Sequence, residues 1–222
     1  RQETSEQPGA EQSADAEAQK PFVMDPRQKA INDAIKSIKA AYLTAKRAYR
    51  APASRIARLQ ECLNRYEGTK HFHNYTIQKT HKDPSAKRHI KSFKVNTTPI
   101  IINGTEWLSL KVHGQSFMMH QIRKMVAMAT MVVRSGCHPD RITETYGPER
   151  IAIPKAPGLG LLLERPIFDA YNNKAQGLDR QPINFQKFEA EMNEFKQREI
   201  YDRIFREEEE SAGYDTPINL PV

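Results

Sequence analysis

The stretch Gly114-Gln115-Ser116-Phe117-Met118-Met119-His120-Gln121-Ile122-Arg123-Lys124-Met125, running on through Val126-Ala127-Met128-Ala129-Thr130-Met131-Val132-Val133, constrains the fold more than any other part of the chain. At 3.6 residues per turn, Ile122, Val126, Ala129 and Val133 fall on one apolar face. Gly136 stands where such a helix ends. Arg123 lies at the edge of that face, beside Val126, Ala127 and Thr130. A guanidinium there either snorkels to water or meets a carboxylate, because a buried charge stripped of its partner costs roughly 3–5 kcal/mol. The spacing leaves both readings open.

Around this helix the pattern alternates between elements. Asp25-Pro26 reads as an N-cap followed by a first-turn proline. The helix it opens is expected to reach Arg50, before Pro52. Ile31, Ile35, Ile38, Tyr42, Ala45 and Tyr49 share one face of it, with Lys29, Lys36, Lys39, Lys46, Arg47 and Arg50 on an arc of about 100° beside them. A second helix over 54–66 carries Ile56, Leu59, Leu63 and Tyr66. Residues 88–96 and 106–114 read as strands, and Asn103-Gly104 between them suits a tight turn with positive φ. A short helix is expected over 139–146 and a strand over 160–168. Phe185, Phe188, Met192 and Phe195 then make an amphipathic helix, which Ile200 and Ile204 continue after a shift in phase and which Glu207–Glu210 end in solvent. The sum is an α+β chain: a mostly antiparallel sheet layered with helices.

Charge narrows the partners. The formal net charge of +7 is unevenly spread. Residues 1–20 are net −3 and residues 185–222 net −5, which leaves 27 basic against 12 acidic side chains between them, net +15. A basic body with acidic ends suits a polyanion such as a nucleic acid. Lys36, Lys39, Lys46, Arg47 and Arg50 on the first helix could follow a phosphate backbone. So could Lys87, Arg88, Lys91 and Lys94 on the 88–96 strand, with Phe93 interleaved. A solvated flank is the plainer reading of any one of them. Met125–Val133, flanked by Lys124 and Arg134, is far shorter than the roughly 20 residues of a membrane-spanning helix. Two cysteines make no disulfide framework and point to a reducing compartment. Asn74-Tyr75-Thr76, Asn96-Thr97-Thr98 and Asn103-Gly104-Thr105 are glycosylation sequons in pattern only.

Other chemistries find little support. His71, His73 and His81, or Cys137-His138, invite a metal, but no Cys-x-x-Cys or His-x-x-x-His pair occurs. Gly158-Leu159-Gly160 lacks the third glycine of a dinucleotide loop. Ser116 is not set in a Gly-x-Ser-x-Gly elbow.

Four blocks in order carry a resemblance. Gly-Gln-Ser-Phe-Met-Met-His-Gln-Ile-Arg-Lys-Met resembles the signature helix of the TruA-like tRNA pseudouridine synthases, nearest to their eukaryotic, nuclear, multisite branch. Tyr66-Glu67-Gly68-Thr69-Lys70-His71-Phe72-His73-Asn74-Tyr75-Thr76 is similar to the family's Gly-x-His-x-Phe-His-Asn-Phe-Thr element. Pro84-Ser85-Ala86 with Arg88-x-Ile90 follows. Pro154-Lys155-Ala156-Pro157-Gly158-Leu159-Gly160-Leu161-Leu162-Leu163-Glu164 resembles the Ala-Pro-x-x-Gly-Leu-x-Leu strand. Together the blocks cover about residues 55–175.

The resemblance implies isomerisation of uridine to pseudouridine in RNA, chiefly tRNA but also other RNAs including mRNA, in the nucleus. It implies no metal and no nucleotide cofactor; the pattern gives no membrane, and a monomer is favoured with the oligomeric state left open. Arg123 would pair with a nucleophilic Asp, while Leu161, Gly160 and His120 would lie against the target nucleotide, flipped out of its stack. The family's Ala-Arg-Thr-Asp-Lys-Gly motif, which carries that Asp, does not occur in this sequence. The chain is therefore expected to be the C-terminal half of a synthase and inactive by itself. Its rival is a non-catalytic RNA-binding module of the same fold. The expected division is an acidic disordered segment over 1–22, the half-domain over 23–180 with its basic helix at 26–50, and a helical extension over 181–222.

Overall fold

The computed structural model of the chain describes residues 25–211, so the expected disorder of 1–22 lies outside them. The chain divides into two compact units, residues 1–46 and 47–222. The first is described by one helix, α1 (Pro26–Ala48), which runs on into the second unit. Asp25 opens it as its sequence suggests, accepting the Arg27 N–H at 3.0 Å through Oδ1. None of its residues is buried, and Ile31, Ile35, Ile38 and Tyr42 all face solvent.

The second unit is built on a three-stranded antiparallel sheet in the order β1 (Gly68–His71), β2 (Lys87–Val95), β5 (Leu110–Gly114). Helices α2 (Ala53–Asn64) and α3 (Gln121–Ser135) pack with it. Leu63 and Tyr66 of the α2 turn meet Ile90 and Phe93 of β2 and Met125, Ala129 and Val132 of α3 in one core. Aromatic edges organise its lower end: Tyr66–Tyr75, Phe72–Tyr75 and Phe72–Tyr146 ring centroids lie 5.6, 5.6 and 5.5 Å apart, all edge-to-face. Each phenol in that cluster finds a partner: Tyr66 donates to Met125 O at 2.9 Å, Tyr146 to Arg65 O at 3.1 Å, and Tyr75 shares a 2.7 Å bond with Thr145 Oγ1. Burial away from water pushes all three hydroxyls up, Tyr75 to about 12.

Strand β2 carries a bulge. Ile90 pairs with Gly114 but Ser92 with His113, so Lys91 is an extra residue without a counterpart on β5. Ile90, Phe93 and Val95 are all buried although the first two are three residues apart. Lys87, Lys91 and Lys94 remain exposed.

Several expectations change. The apolar face of α3 is rotated by about one position: Gln121, Met125, Ala129 and Val132 are buried, with Ile122, Val126 and Val133 half-buried at its flanks. The predicted 106–114 strand is two strands. β4 (Thr105–Trp107) pairs with β3 (Ile100–Ile102) across Asn103-Gly104, while β5 pairs with β2. Both turn residues have positive φ, 48° and 79°, as a two-residue hairpin turn requires, but the turn joins β3, which the pattern did not indicate, to β4. The predicted 160–168 strand is absent. Residues 158–161 turn instead, Leu161 N–H donating to Gly158 O at 3.1 Å, and the extended chain beyond meets no strand to pair with among the described residues.

The C-terminal extension follows its pattern more closely. After the short helices α4 (Arg141–Glu144) and α5 (Asp169–Gln176), helix α6 (Glu189–Phe195) passes through a π segment, Lys196–Tyr201, into α7 (Asp202–Ser211). The wider π turn inserts the extra residue that the sequence shows as a phase shift before Ile200 and Ile204. Phe205 meets Trp107 of β4 edge-on at 4.9 Å, and Asn103 donates to Glu209 at 2.7 Å, so the acidic end of α7 rests on the hairpin rather than wholly in solvent. Lys196 also pairs with Glu164 at 2.8 Å.

Candidate active site

The signature stretch turns before it coils. A Cβ on Gly114 would lie 2.9 Å from Phe117 Cζ and 3.1 Å from the His89 carbonyl, so the Phe117 ring is laid over bare backbone. His120 then takes a left-handed φ of 63° and α3 starts. No side chain of the usual Ser, Asp or Asn type caps it. Instead Gln121 Oε1 accepts Met118 N–H at 2.9 Å, and Thr76 Oγ1 donates to Met119 O at 2.9 Å. The turn is fixed from both sides, which sets where the third residue of the helix, Arg123, projects.

Arg123 neither snorkels nor meets a carboxylate. Its Nε–H donates to Ala156 O at 2.7 Å, and Ala156 N–H returns a bond to Arg123 O at 3.1 Å. Side chain and backbone of one residue thus close a ring with the backbone of another. No acidic side chain among the described residues forms an ion pair with Arg123, and both Nη groups are left for something else. The neighbours are cations. Desolvation, then Lys155, Arg123 and Lys124, push the His120 imidazole below its usual 6.5 and so favour its neutral form. Desolvation, then Lys155 and Arg150, pull Lys124 down from 10.5. Such a field favours an anion between these groups.

Behind the cations stands the His73-Asn74-Tyr75-Thr76 turn. Asn74 is buried, and its amide nitrogen donates to Thr145 O and Glu149 O, each at 2.9 Å, while its oxygen accepts Ile151 N–H at 3.0 Å. Lys124 Nζ donates to Asn74 O at 3.1 Å and Thr76 O at 3.0 Å. One turn therefore holds both walls, the start of α3 and the 145–156 segment that carries the Ala156 carbonyl. Asn74 has no amide free for a glycan.

Of the residues expected at a site, the structure brings together Arg123 and His120. Gly160 and Leu161 follow closely on the Ala156 contact, in the turn after Gly158, with Leu161 half-exposed. On β2, Lys87 and Lys91 share the exposed face with Lys94, which pairs with Glu67 at 3.1 Å. Arg88 is half-buried in phase with Ile90 and donates to Lys87 O, so it does not join that row. Lys36, Lys39, Lys46 and Arg47 are exposed on α1. Arg50 uses its guanidinium on the carbonyls of Arg47, Tyr49 and Gly104, at 2.7, 2.9 and 3.0 Å. His81 lies 5.1 Å from the His71 ring and 5.3 Å from the His73 ring, centroid to centroid, yet no group of three His, Cys, Asp or Glu is placed to hold a metal ion among the described residues. Lys124, Lys155 and Ala156 had no role assigned from sequence. A basic side chain next to Arg123 was the only signal for Lys124, and a backbone carbonyl such as that of Ala156 leaves no signal in residue type at all.

Comparison with known proteins gives this geometry a context. Residues 63–169 match the sequence profile of a family described as tRNA pseudouridine synthase. A tRNA pseudouridine synthase 1 from Eremothecium gossypii is 46% identical over 176 residues, 78% of this chain and 33% of that protein. One from Candida albicans is 51% identical over 174 residues, 78% and 28% of the two chains. A pseudouridylate synthase 1 homolog from Mus musculus is 39% identical over 178 residues, 78% and 41%. The chain spans about a third of the length of the fungal relatives it matches.

Proposed function

This chain belongs to the tRNA pseudouridine synthase family, and on that premise we propose that it forms one wall of a cleft in which a uridine of RNA, chiefly tRNA, becomes pseudouridine. The other wall carries an Asp in the Arg-Thr-Asp-Lys-Gly setting that this sequence lacks, so the chain alone is inactive. Nuclear residence and action on RNAs beyond tRNA belong to the same proposal.

The observation that supports it most is the state of Arg123: Nε pinned on Ala156 O, no carboxylate among the described residues paired with its Nη groups, and cations acting on its neighbours His120 and Lys124. A carboxylate delivered there stays ionised, because the guanidinium and the field of Lys124 and Lys155 offset the cost of drying it. Its aim is fixed by two parallel N–H donors. In the reaction the uracil N1–C1′ bond breaks and a C5–C1′ bond forms; C5 loses its proton and N1 gains one, so no oxidant or cofactor is needed. The carboxylate acts at the ribosyl side of that exchange. His120 and Leu161 with Gly160 line the space for the detached base. A flipped nucleotide is required because C5 is out of reach in a stacked helix.

In a catalytically complete protein containing this chain, Arg123→Ala should lower the single-turnover rate at least about a hundredfold while the RNA dissociation constant moves only a few-fold. Arg123→Lys should recover part of the rate, since the charge returns without the planar fork. Near-normal rates for both folded variants would sink the assignment. The exposed cations Lys36, Lys39, Lys87 and Lys91 imply binding that weakens steeply with salt, with a flatter log–log slope after charge reversal of Lys36, Lys39 and Arg47 together. An unchanged slope would return α1 to the status of a solvated helix.

A further inference from the structure

We infer that the Pro157-flanked backbone from Ala156 to Gly158 is a seat for the Arg123 guanidinium, and that Gly158 is a positioning residue because any side chain larger than a methyl group there would crowd the face of the guanidinium. The inference rests on the reading of Arg123 given above. Two independent contacts define the seat. One is the ring of two hydrogen bonds between Arg123 and Ala156, at 2.7 and 3.1 Å. The other is steric: the three atoms nearest to a Cβ added at Gly158 would all belong to Arg123, Cζ at 3.5 Å, Nη1 at 3.6 Å and Nε at 3.7 Å. Position 158 therefore faces the guanidinium before any other group.

The glycine is not there for backbone freedom. Its φ lies outside the left-handed region, unlike those of Gly68, Gly104 and Gly136, so a side chain at 158 meets no torsional penalty of that kind. What it would meet is Arg123. A single methyl group fits at ordinary contact distance. The γ carbons of a β-branched side chain extend toward the guanidinium and compete with the Nε bond to Ala156. Without that bond the long side chain regains its rotamers, and the two Nη groups no longer arrive in one orientation. Specificity for the charge survives; aim does not.

The test uses the chain itself first. In an arginine-labelled sample, the Arg123 Nε–H resonance, identified by its loss in Arg123→Lys, should be sharp and slow to exchange. It should persist in Gly158→Ala and vanish into solvent exchange in Gly158→Val. Thermal melting supplies the second arm. Gly158→Val should lower the melting temperature by roughly 3–6 °C, and most of that loss should disappear when Arg123→Ala is present as well. Should Gly158→Val fail to fold, the double variant should fold. In a catalytically complete protein, Gly158→Val should cut the single-turnover rate tenfold or more, with RNA affinity within about twofold and Gly158→Ala affected less. A persistent Nε–H signal in Gly158→Val, or an equal melting penalty with and without the Arg123 side chain, overturns the inference. If instead both arms hold but Arg123→Ala reacts at a normal rate, the seat stands and the catalytic assignment of Arg123 falls.

Discussion

Leu63 and Leu163 are the same side chain in two surroundings. Leu63, on α2, is fully buried among Tyr66, Phe93 and Met125; Leu163, in the extended chain after the 158–161 turn, is 82% exposed. The regions around them differ in the same way. Around Leu63 the apolar residues face a sheet and a second helix, and polar groups such as the tyrosine hydroxyls are bonded inward. Around Leu163 the backbone has no ladder partner among the described residues, and Leu161 and Ile167 are half-exposed beside it. Both stretches read as regular elements in the sequence. Periodicity reports that a face is apolar; it does not report what, if anything, lies against it.

The comparison can be broken by mutation. Leu63→Ala should destabilise the chain by about 2–5 kcal/mol, the range for a large-to-small change in a closed core, and urea unfolding followed by circular dichroism would read it. Asn74→Ala should rank next, at roughly 2–4 kcal/mol, because it strips partners from two carbonyls and one N–H inside the turn that joins both walls. Asn74→Asp should be little better, since it keeps the acceptor for Ile151 but sets a carboxylate against the carbonyls of Thr145 and Glu149.

A milder effect belongs to pH. Desolvation, then His81, Lys87 and His73, push His71 below the usual imidazole value of 6.5, so the folded chain resists a proton that the unfolded chain accepts. Stability should then fall as pH drops below that value and recover as it rises. In His71→Gln the slope of unfolding free energy against pH over that window should flatten. Smallest of all, Leu163→Ser should leave the stability of this chain within about 0.5 kcal/mol. A loss comparable with that of Leu63→Ala would mean that the extended segment is packed after all, and the contrast would collapse.

What was legible in the sequence follows the same line. The α2 and α3 helices, the β2 strand and the Asn103-Gly104 turn were readable because local spacing and turn chemistry decide them. So was the phase shift before Ile200, which the π segment supplies. The strand over 160–168 was misread because alternating leucines satisfy a strand pattern whether or not a neighbour exists. The face of α3 was misplaced by one position because Gln121, a polar residue, is buried there, its side chain bonded to the turn before it. At the candidate site, Arg123 was visible through resemblance. Its hold on Ala156 was not, because a peptide carbonyl looks the same at every position of a sequence. Asn74 stood in a recognised block but read as part of a motif rather than as the joint between two walls.

The unpaired residue at Lys91 acts on β2 as a parity switch. Side chains alternate along a strand, so one supernumerary residue exchanges the two faces for everything that follows it. Ahead of it the buried position is Ile90; beyond it the buried positions are Phe93 and Val95, odd instead of even. Were β2 regular through Lys91, with no bulge to absorb that residue, Lys94 would be turned into the apolar layer under α2 while Phe93 emerged into water. Lys87 and Lys94 would then lie on opposite sides of the sheet. The bulge at one residue without a partner thus decides whether this strand presents its positive charge as a row or divides it.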